Sequence, residues 1–405
     1  MTRSAFKQAG LAIFLTCILS SSSDAEPPGD LEKIVRSNNR FAIDLYSVLR
    51  KEDGNLFFSP YSISTALAMT YCGARGKTAE EMAGTLQFTL GRDKIPAAFG
   101  ELEAKLNDIQ KVGDVQLCVA NSLWPQKDYP FRQDYLTLMK QNFGVSITPV
   151  DYLHAREEAR RTINEWVEIK TKERIKKLIR KGDLDIETVL VLVNAIYFKG
   201  NWAGRFDPQL TEEDDFILAD GKKKKVPLMV QKGTFGFREL KDVQILELPY
   251  AGRQLSMFVI LPREDDGLKK IEDAISEDNL RSWLSFLPEK EVRVYLPKFK
   301  ITWGTFELNE PLMDLGIKDA FSPAQADFTG MAEVRELYIS LVLHKAFVEV
   351  NEEGTEAAAA AAVVMSKEIA RRRVFRADHP FLFLIRDNTT GSILFLGRVI
   401  DPTVK

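Results

Sequence analysis

Three histidines are the residues of this chain best suited to acid–base chemistry. Nucleophilic hydrolysis would need one of them beside a serine or cysteine and oriented by an acidic residue. His154 lies in a polar helical stretch, whereas His344 and His379 lie in apolar, strand-like runs. The sequence contains neither a Gly-x-Ser-x-Gly turn nor the helical motif of a zinc protease. We therefore expect a protein that is not an enzyme, with His344 buried and hydrogen-bonded to nearby polar groups.

The cysteines indicate neither a disulfide framework nor a metal site. Cys17 belongs to an N-terminal leader, which leaves Cys72 and Cys118. Two cysteines are too few to form a disulfide framework in a chain of 405 residues. Both lie in apolar runs, so buried free thiols are expected, with a bridge or a reactive pair as the alternatives. No histidine, cysteine or carboxylate group has the spacing of metal ligands, and neither a metal nor a cofactor is expected.

The first 25 residues have the pattern of a secretory leader. Arg3 and Lys7 form a basic start, Ala9–Leu19 is an apolar core, and Ser23–Ala25 offers small residues for cleavage. This core is too short for a membrane anchor, which needs about 20 apolar residues. We therefore expect residues 1–25 to be a signal peptide and the protein to be secreted to the extracellular space.

Composition and order of elements predict a folded α+β protein. Hydrophobic residues make up 45% and charged residues 28%, which is typical of a globular chain. The net charge of −3 gives no general attraction to nucleic acid or to an anionic membrane. Helical patterns dominate the first part and strand patterns the second, with no Pro/Gly/Ser-rich linker between them. One domain over residues 26–405 is expected.

Several individual elements are predicted by periodicity and capping signals. Ser59 with Pro60 should begin a helix that ends near Gly73. Thr78 with Glu81 should form a capping box. The remaining helix predictions are a first helix from Leu31 that ends at Gly54 and a charged helix over Glu157–Leu178. The strand predictions are Val189–Val193, strands before Pro262 and Pro297, and a hairpin of Phe381–Ile385 with Ile393–Leu396.

The most informative stretch is Asn351–Ala362, where Asn-Glu-Glu-Gly-Thr-Glu is followed by six alanines. Intrinsic propensity favours a short surface helix. The neighbours favour a sheet, because Leu337–Val350 is rich in β-branched and aromatic residues and further apolar runs follow Val363. Methyl side chains fit almost any packed face, so an alanine-rich segment can also enter a sheet. The residues alone leave both interpretations open.

This stretch resembles the hinge before the reactive loop of the serpins, a family of serine protease inhibitors. The hinge residues are Glu353, Gly354, Thr355, Glu356, Ala357, Ala358 and Ala359. Other family marks follow in order along nearly the whole chain after the leader: Asn55–Ser62, Asn194–Trp202, Thr211, Phe216, His344, Asp378–Phe381 and Leu394–Gly397. The resemblance implies the serpin fold, in which eight to nine helices surround three β-sheets, with an exposed reactive loop at about residues 352–377. A monomer is expected.

The resemblance also implies a suicide mechanism of inhibition. A serine protease attacks the loop and forms an acyl-enzyme, after which the cut loop enters the central sheet as a new strand. Thr355 would enter first, followed on the same face by Ala357, Ala359 and Ala361. Non-inhibitory serpins that act as carriers or chaperones are the alternative, but they often interrupt the alanine run, which is unbroken here.

Family spacing points to a reactive bond between Glu368 and Ile369. In serpins the residue before the cut usually lies about fourteen positions beyond the hinge glycine, here Gly354. A count back from Asp378 places the cut in a window from Lys367 to Ile369. Cleavage after Glu368 predicts an acid-preferring protease, and cleavage after Lys367 a trypsin-like one. Arg373 lies too far from the hinge.

In serpins the residues that match Ser59, Ser62, Asn194 and His344 lie beneath the central sheet where it must part, and Trp202 belongs to the same sheet-opening region. For Ser59 and Ser62, helix capping is a compatible second role.

Two surface features have more than one interpretation from the sequence. The lysine run comprises Lys222, Lys223, Lys224 and Lys225. It is interpreted either as a solvated turn or as a site for a polyanion, such as a glycosaminoglycan. Asn388 begins the glycosylation sequon Asn-Thr-Thr on a predicted hairpin turn, although the sequence does not decide whether it is used.

Overall fold

The computed structural model describes residues 29–112, 115–145, 147–355 and 373–404. These residues contain nine α-helices: α1 (Asp30–Leu49), α2 (Pro60–Gly73), α3 (Gly76–Thr85), α4 (Ile95–Val112), α5 (Gln133–Phe143), α6 (Arg156–Lys170), α7 (Leu268–Ala274), α8 (Glu277–Leu284) and α9 (Asn309–Asp314). The strands are β1 (Leu56–Phe58), β2 (Val115–Pro125), β3 (Leu190–Asn201), β4 (Glu212–Ile217), β5 (Lys223–Glu239), β6 (Val243–Pro249), β7 (Leu255–Pro262), β8 (Glu289–Pro297), β9 (Phe299–Glu307), β10 (Leu341–Val350), β11 (Gly354–Thr355), β12 (Arg373–Arg376), β13 (Phe381–Asp387) and β14 (Ile393–Val399).

The strands form three sheets, two of which share the long strand β5. Its last residues, Phe237–Glu239, pair with β6 in a sheet of order β1-β14-β13-β7-β6-β5. The rest of β5 pairs with β4 and β8, and β12 adds to β8 in parallel. The third sheet has the order β2-β3-β11-β10-β9. The predicted α+β architecture of three sheets with eight to nine helices is confirmed.

Helix α2 lies beneath the third sheet, which we call the central sheet. Every residue of α2 is buried, as expected for a helix that is apolar on all sides. It packs against β2, β3 and β14, so it supports two sheets at once. The predicted cap is confirmed, because the Ser59 hydroxyl accepts a hydrogen bond from the Ser62 amide and Pro60 is the first helical residue.

Helix α6 covers the opposite face of the central sheet. Side chains alternate along β3, so Leu192 and Ile196 join the main core around α2, whereas Val191 and Val193 face α6. The apolar layer under α6 also contains Ile163, Val167, Ile175, Leu178, Ile179, Leu341 and Leu343. The central sheet is therefore packed on both faces.

Several details differ from the sequence-based expectations. Helix α1 ends at Leu49 rather than at Gly54. Helix α6 ends at Lys170 rather than near Leu178, because Lys172 and Glu173 adopt the left-handed conformation. The expected capping box is wrong: α3 begins at Gly76, the Thr78 hydroxyl accepts from the Asp327 amide, and the Glu81 carboxylate accepts from two amides of another segment.

The strand expected over Leu337–Val350 begins at Leu341. Both remaining cysteines are free, as expected, but only Cys72 is buried, and Cys118 is partly exposed. Burial raises the pKa of the Cys72 thiol to about 12.

None of the helices in the described part of the chain is long and apolar enough to cross a membrane.

Candidate functional site

The central sheet contains a seam between β3 and β10 that is closed at one end and parted at the other. The two strands pair directly in parallel from Leu341↔Val191 to Phe347↔Tyr197. Beyond this stretch, β11 lies between them: Gly354 and Thr355 pair with Asn201 and Gly200 of β3, and Thr355 also pairs with Val350 of β10. The first residues of the predicted hinge are thus already a strand of the sheet.

Close approach of backbones explains the glycine at position 354. A β-carbon built on Gly354 would lie 2.1 Å from the carbonyl oxygen of Gly200 and 2.6 Å from the α-carbon of Asn201. Backbone atoms of a paired strand cannot move aside as a flexible side chain can. Any other residue here would therefore push β11 out of the sheet.

Thr355 is completely buried and has a specific partner. Its hydroxyl lies 2.8 Å from the phenol oxygen of Tyr250. The Tyr250 ring stacks on Trp202 with centroids 4.7 Å apart, and the Trp202 indole donates a hydrogen bond to the Asn351 carbonyl at 3.0 Å. Burial raises the pKa of Tyr250 far above its usual value, so the phenol stays neutral. Trp202 thus anchors both sides of the parted end.

The residues just before β11 are held by main-chain and charged contacts. The amides of Trp202 and Phe206 donate to the carbonyls of Glu353 and Glu352 at 2.9 and 2.8 Å. Burial alone would raise the pKa of Glu352, but hydrogen bonds from Lys298 and Thr211 lower it below its ordinary value. These bonds hold Glu352 and Glu353, the two residues before β11, in a fixed position.

A polar cluster crosses the seam in its closed part. His344 of β10 lies directly opposite Asn194 of β3, and Asn194 lies opposite Asn121 of β2. The Asn194 amide donates to the Ser62 hydroxyl and to Asn121, each at 2.7 Å. The Ser59 amide, at the start of α2, donates to Nε2 of His344 at 3.1 Å. The structure thus brings together Ser59, Ser62, Asn194 and His344, and the hydrogen bonding expected of His344 is confirmed.

The partners of His344 define its protonation state. Because Nε2 accepts from the Ser59 amide, the ring proton lies on Nδ1 and is donated to the Asn194 side-chain oxygen. Complete burial lowers the pKa of His344 to about 3. A second proton on the ring would make Nε2 a donor. It would then face the Ser59 amide, which is also a donor. The cluster therefore requires a neutral ring.

Sequence reasoning missed two members of this region, Asn121 and Tyr250. Asn121 is a polar residue inside the apolar run of β2, and that contrast is a usable signal for a buried hydrogen-bonded side chain. Tyr250 follows β6 beside a proline, and no local pattern distinguishes it from a core tyrosine.

Other predicted residues lie elsewhere or outside the described residues. Glu356, Ala357, Ala358, Ala359, Lys367, Glu368 and Ile369 fall in the part of the chain that is not described. Asn388 is exposed, and its side-chain amide donates to the Arg253 carbonyl and the Ser256 hydroxyl. Among the described residues, no group of three or more histidine, cysteine or acidic side chains is placed to hold a metal ion.

The lysine run does not form an unpaired basic patch. Lys223 and Lys225 pair with Asp215 of the neighbouring strand β4, at 3.5 and 2.9 Å. Lys222 pairs with Asp220, and Lys224 pairs with Asp401. All four ammonium groups thus have carboxylate partners, which favours the interpretation as an ordinary solvated surface.

The buried ring of His344 predicts that stability falls when the solution is acidified from pH 7 to pH 5.5. The unfolded chain protonates this histidine near the ordinary pKa of 6.5, whereas the folded protein keeps it neutral to about pH 3. The unfolded state therefore binds more protons in this interval, and the free energy of unfolding decreases by about 1 kcal/mol. Urea midpoints at both pH values measure this loss.

His344→Gln is the control, since glutamine offers an acceptor but does not titrate. Between pH 7 and pH 5.5 its free energy of unfolding should decrease by about 1 kcal/mol less than that of the wild type. Burial opposes protonation of His379, but its bond to Asp378 raises its pKa, so this histidine acts in the opposite direction in both proteins. An equal acid loss in the two proteins would contradict the role assigned to His344.

Comparison with known proteins agrees with this geometry. A family model described as "Serpin (serine protease inhibitor)" matches residues 36–402. Leukocyte elastase inhibitor of Homo sapiens is 42% identical over 385 residues, which cover 92% of this chain and 100% of that protein. The Sus scrofa protein of the same name is 44% identical over 384 residues, with the same coverage.

A solved structure of human thyroxine-binding globulin superposes with a TM-score of 0.84 at 32% identity, over 93% of this chain and 100% of that one. Sequence, topology and the geometry of the seam thus point to one family. The chain belongs to the serpins, the family of serine protease inhibitors.

Proposed function

We propose that this protein is a secreted inhibitor that traps a serine protease by inserting its cut loop between β3 and β10. One observation carries the proposal: β11 already lies between these strands at the parted end of the seam. Residues that follow Thr355 can extend β11 between β3 and β10 without separating the sheet at a second place. The close relatives named as inhibitors of a protease support the same class of activity.

The trapping step follows the chemistry of an acyl transfer. The hydroxyl of the protease serine attacks the carbonyl carbon of Glu368, and the peptide bond to Ile369 breaks. A new ester joins Glu368 to the protease, and the freed amine on Ile369 takes up the proton. Inserting the residues after Thr355 then carries the ester along the sheet, away from the site of attack. Inhibition requires insertion to be faster than hydrolysis of this ester.

The chain's own loop argues for a target other than an elastase. An elastase specificity pocket takes a small side chain. The hinge spacing places Glu368 before the cut, with Lys367 as the alternative, and both side chains are long and charged. We therefore propose an acid-preferring protease as the target, with a trypsin-like protease as the second candidate.

Binding without inhibition is the competing function, since one structural relative is named for the thyroxine that it binds. A carrier does not depend on an efficient trap. Tests of loop insertion therefore separate the two functions.

The inhibitor should form a covalent complex and become more stable when its loop is cut. Protein harvested from culture medium, with an N-terminus at Glu26, should form an SDS-resistant band with a serine protease from a panel of acid-preferring and trypsin-like enzymes. Chain nicked between residues 356 and 372 should unfold at a clearly higher temperature than intact chain, because the loop fills the seam with a new strand. Absence of both results across the panel would favour the carrier.

Replacement of Thr355 by arginine should convert the inhibitor into a substrate. Burial of a charged side chain without a partner costs several kcal/mol, and this position is completely buried beside Tyr250. The protease should still cut the loop, while the SDS-resistant complex falls at least tenfold. Thr355→Ser, which keeps the hydroxyl, is the matched control and should trap normally. Unchanged trapping by Thr355→Arg would show that insertion does not pass through this residue.

Mass spectrometry of the peptide released from a trapped complex should identify the reactive bond. A new N-terminus at Ile369 is expected, since the spacing from Gly354 places Glu368 before the cut. An N-terminus at Glu368 would instead assign the bond to Lys367 and the target to the trypsin-like class. A cut that leaves Val374 at the N-terminus would refute the spacing argument.

A further inference from the structure

A cavity of about 310 Å³ lies between β2, the edge strand of the central sheet, and the helices beside it. Its walls come from β2, from α2, α4 and α6, and from the end of α5 with the residues that follow it. The volume is at the lower end of the range of sites that bind small organic ligands. We call this space the lateral cavity.

Aromatic rings form much of the lining of the lateral cavity. Tyr61 of α2 and Phe143 of α5 are buried, and the ring of Phe143 packs against that of Phe99 with centroids 5.9 Å apart. The ring of Trp166 in α6 contacts that of Trp124 edge to face, with centroids 5.6 Å apart. These contacts hold Phe143 and Trp166 in place, so a ligand would meet a preformed aromatic lining.

One carboxylate belongs to this lining. Glu103 of α4 is half-buried, and it forms neither an ion pair nor a hydrogen bond within the described part of the chain. Burial raises the pKa of Glu103, and no basic side chain opposes that shift. Burial also raises the pKa of the Tyr61 phenol, and the charge of Glu103 raises it further, so the two groups lie close together. A poorly solvated carboxylate without a partner is costly, and a positively charged ligand would offset that cost.

The second charged residue of the lining lies at the entrance. Lys170, the last residue of α6, is exposed, and its ammonium group lies 5.9 Å from the centroid of the Trp166 ring. Water and salt screen this charge, whereas Glu103 acts in a less polar environment. The two charges therefore do not cancel inside the cavity. A ligand meets a carboxylate within and an ammonium group at the entrance.

These features select the class of ligand. An anion would place a second negative charge beside Glu103, and a neutral hydrocarbon would leave this carboxylate unpaired. A diamine would bring its second charge to Lys170. A metal ion needs more oxygen ligands than one carboxylate supplies. An aromatic ring that carries one ammonium group fits best, because the rings of the lining attract an ammonium group and pack against another ring.

We propose that the lateral cavity binds an aromatic monoamine, with the ammonium group bonded to Glu103 and the ring packed among Tyr61, Phe143 and Trp166. Among the described residues, the hinge contributes nothing to the lining. Binding therefore does not rest on the proposed inhibition of a protease. The site gives the chain a second activity, the reversible binding of a small amine.

Titration calorimetry of the intact chain with phenethylamine and with its neutral analogue 2-phenylethanol tests the need for a positive charge. Phenethylamine should bind at least tenfold more tightly than the alcohol. Glu103→Gln keeps the size of the side chain and should weaken the binding of phenethylamine at least tenfold. Glu101→Gln is the matched control, because Glu101 is an exposed carboxylate on the same helix that does not line the cavity. It should change the affinity less than twofold.

A comparison of two benzylamines tests the orientation of the ligand. p-Xylylenediamine carries an ammonium group at each end, whereas 4-methylbenzylamine has the same shape and only one. The diamine should bind at least threefold more weakly, because its second charge lies near Lys170. Lys170→Gln should remove this difference, and its exposed position leaves the fold intact.

Four results would overturn the site: no binding of phenethylamine at millimolar concentration, equal affinities for phenethylamine and 2-phenylethanol, unchanged binding in Glu103→Gln, or an equal loss in Glu101→Gln. Tighter binding of the diamine than of 4-methylbenzylamine would overturn the placement of the ammonium group. Thermal unfolding of each variant shows whether a loss of affinity comes from the cavity or from the fold.

Discussion

Hydrogen bonding between β3 and β10 is the constraint on which the rest of the structure depends. If these strands separated from Leu341 to Phe347 with nothing between them, each unpaired backbone group would cost about 1–3 kcal/mol. A strand inserted between them pairs with both edges and adds a ladder that the closed sheet lacks. The backbone groups at this seam are therefore paired when the sheet is closed and would be paired again with a strand inserted, whereas an open seam would leave them unpaired. Because β11 already occupies the parted end, the seam can open one residue pair at a time.

In the proposed insertion, the polar cluster would act on the barrier to separating the strands rather than on the final state. The hydrogen bond between His344 and Asn194 joins the two strands directly, so it must break before a strand can pass. Ser59 and Ser62 connect the same side chains to the start of α2, which stays in place beneath the sheet. Each such bond contributes about 1 kcal/mol net, but a buried group left without a partner costs more. The cluster thus resists opening while the seam is intact.

The sequence predicted those parts of the fold that depend on local rules. The cap at Ser59 and Pro60 needs only a hydroxyl and a fixed φ angle, and the hairpin of β13 and β14 needs only two apolar runs around a turn. Elements that depend on distant contacts were missed. Thr78 and Glu81 have the spacing of a capping box, yet they satisfy amides more than 230 residues away. Tyr250 joins the site through tertiary contacts that no local pattern reveals, whereas the polar Asn121 inside an apolar strand gave a local signal that was not used.

The packing of the central sheet accounts for the whole alanine run and not only for alternate positions in it. A strand beside β3 faces the α2 core with one set of side chains and the α6 layer with the other, and both layers are already closely packed. Large residues on either face would force neighbours off their preferred rotamers, at a typical cost of about 1–3 kcal/mol each. In the proposed insertion, successive alanines would place only methyl groups on alternate faces, so Val191 and Leu192 would not need to rearrange. If the loop inserts as proposed, the same argument explains why a run of residues that favours a helix in isolation suits a strand here, because side-chain volume would decide insertion and intrinsic propensity would not.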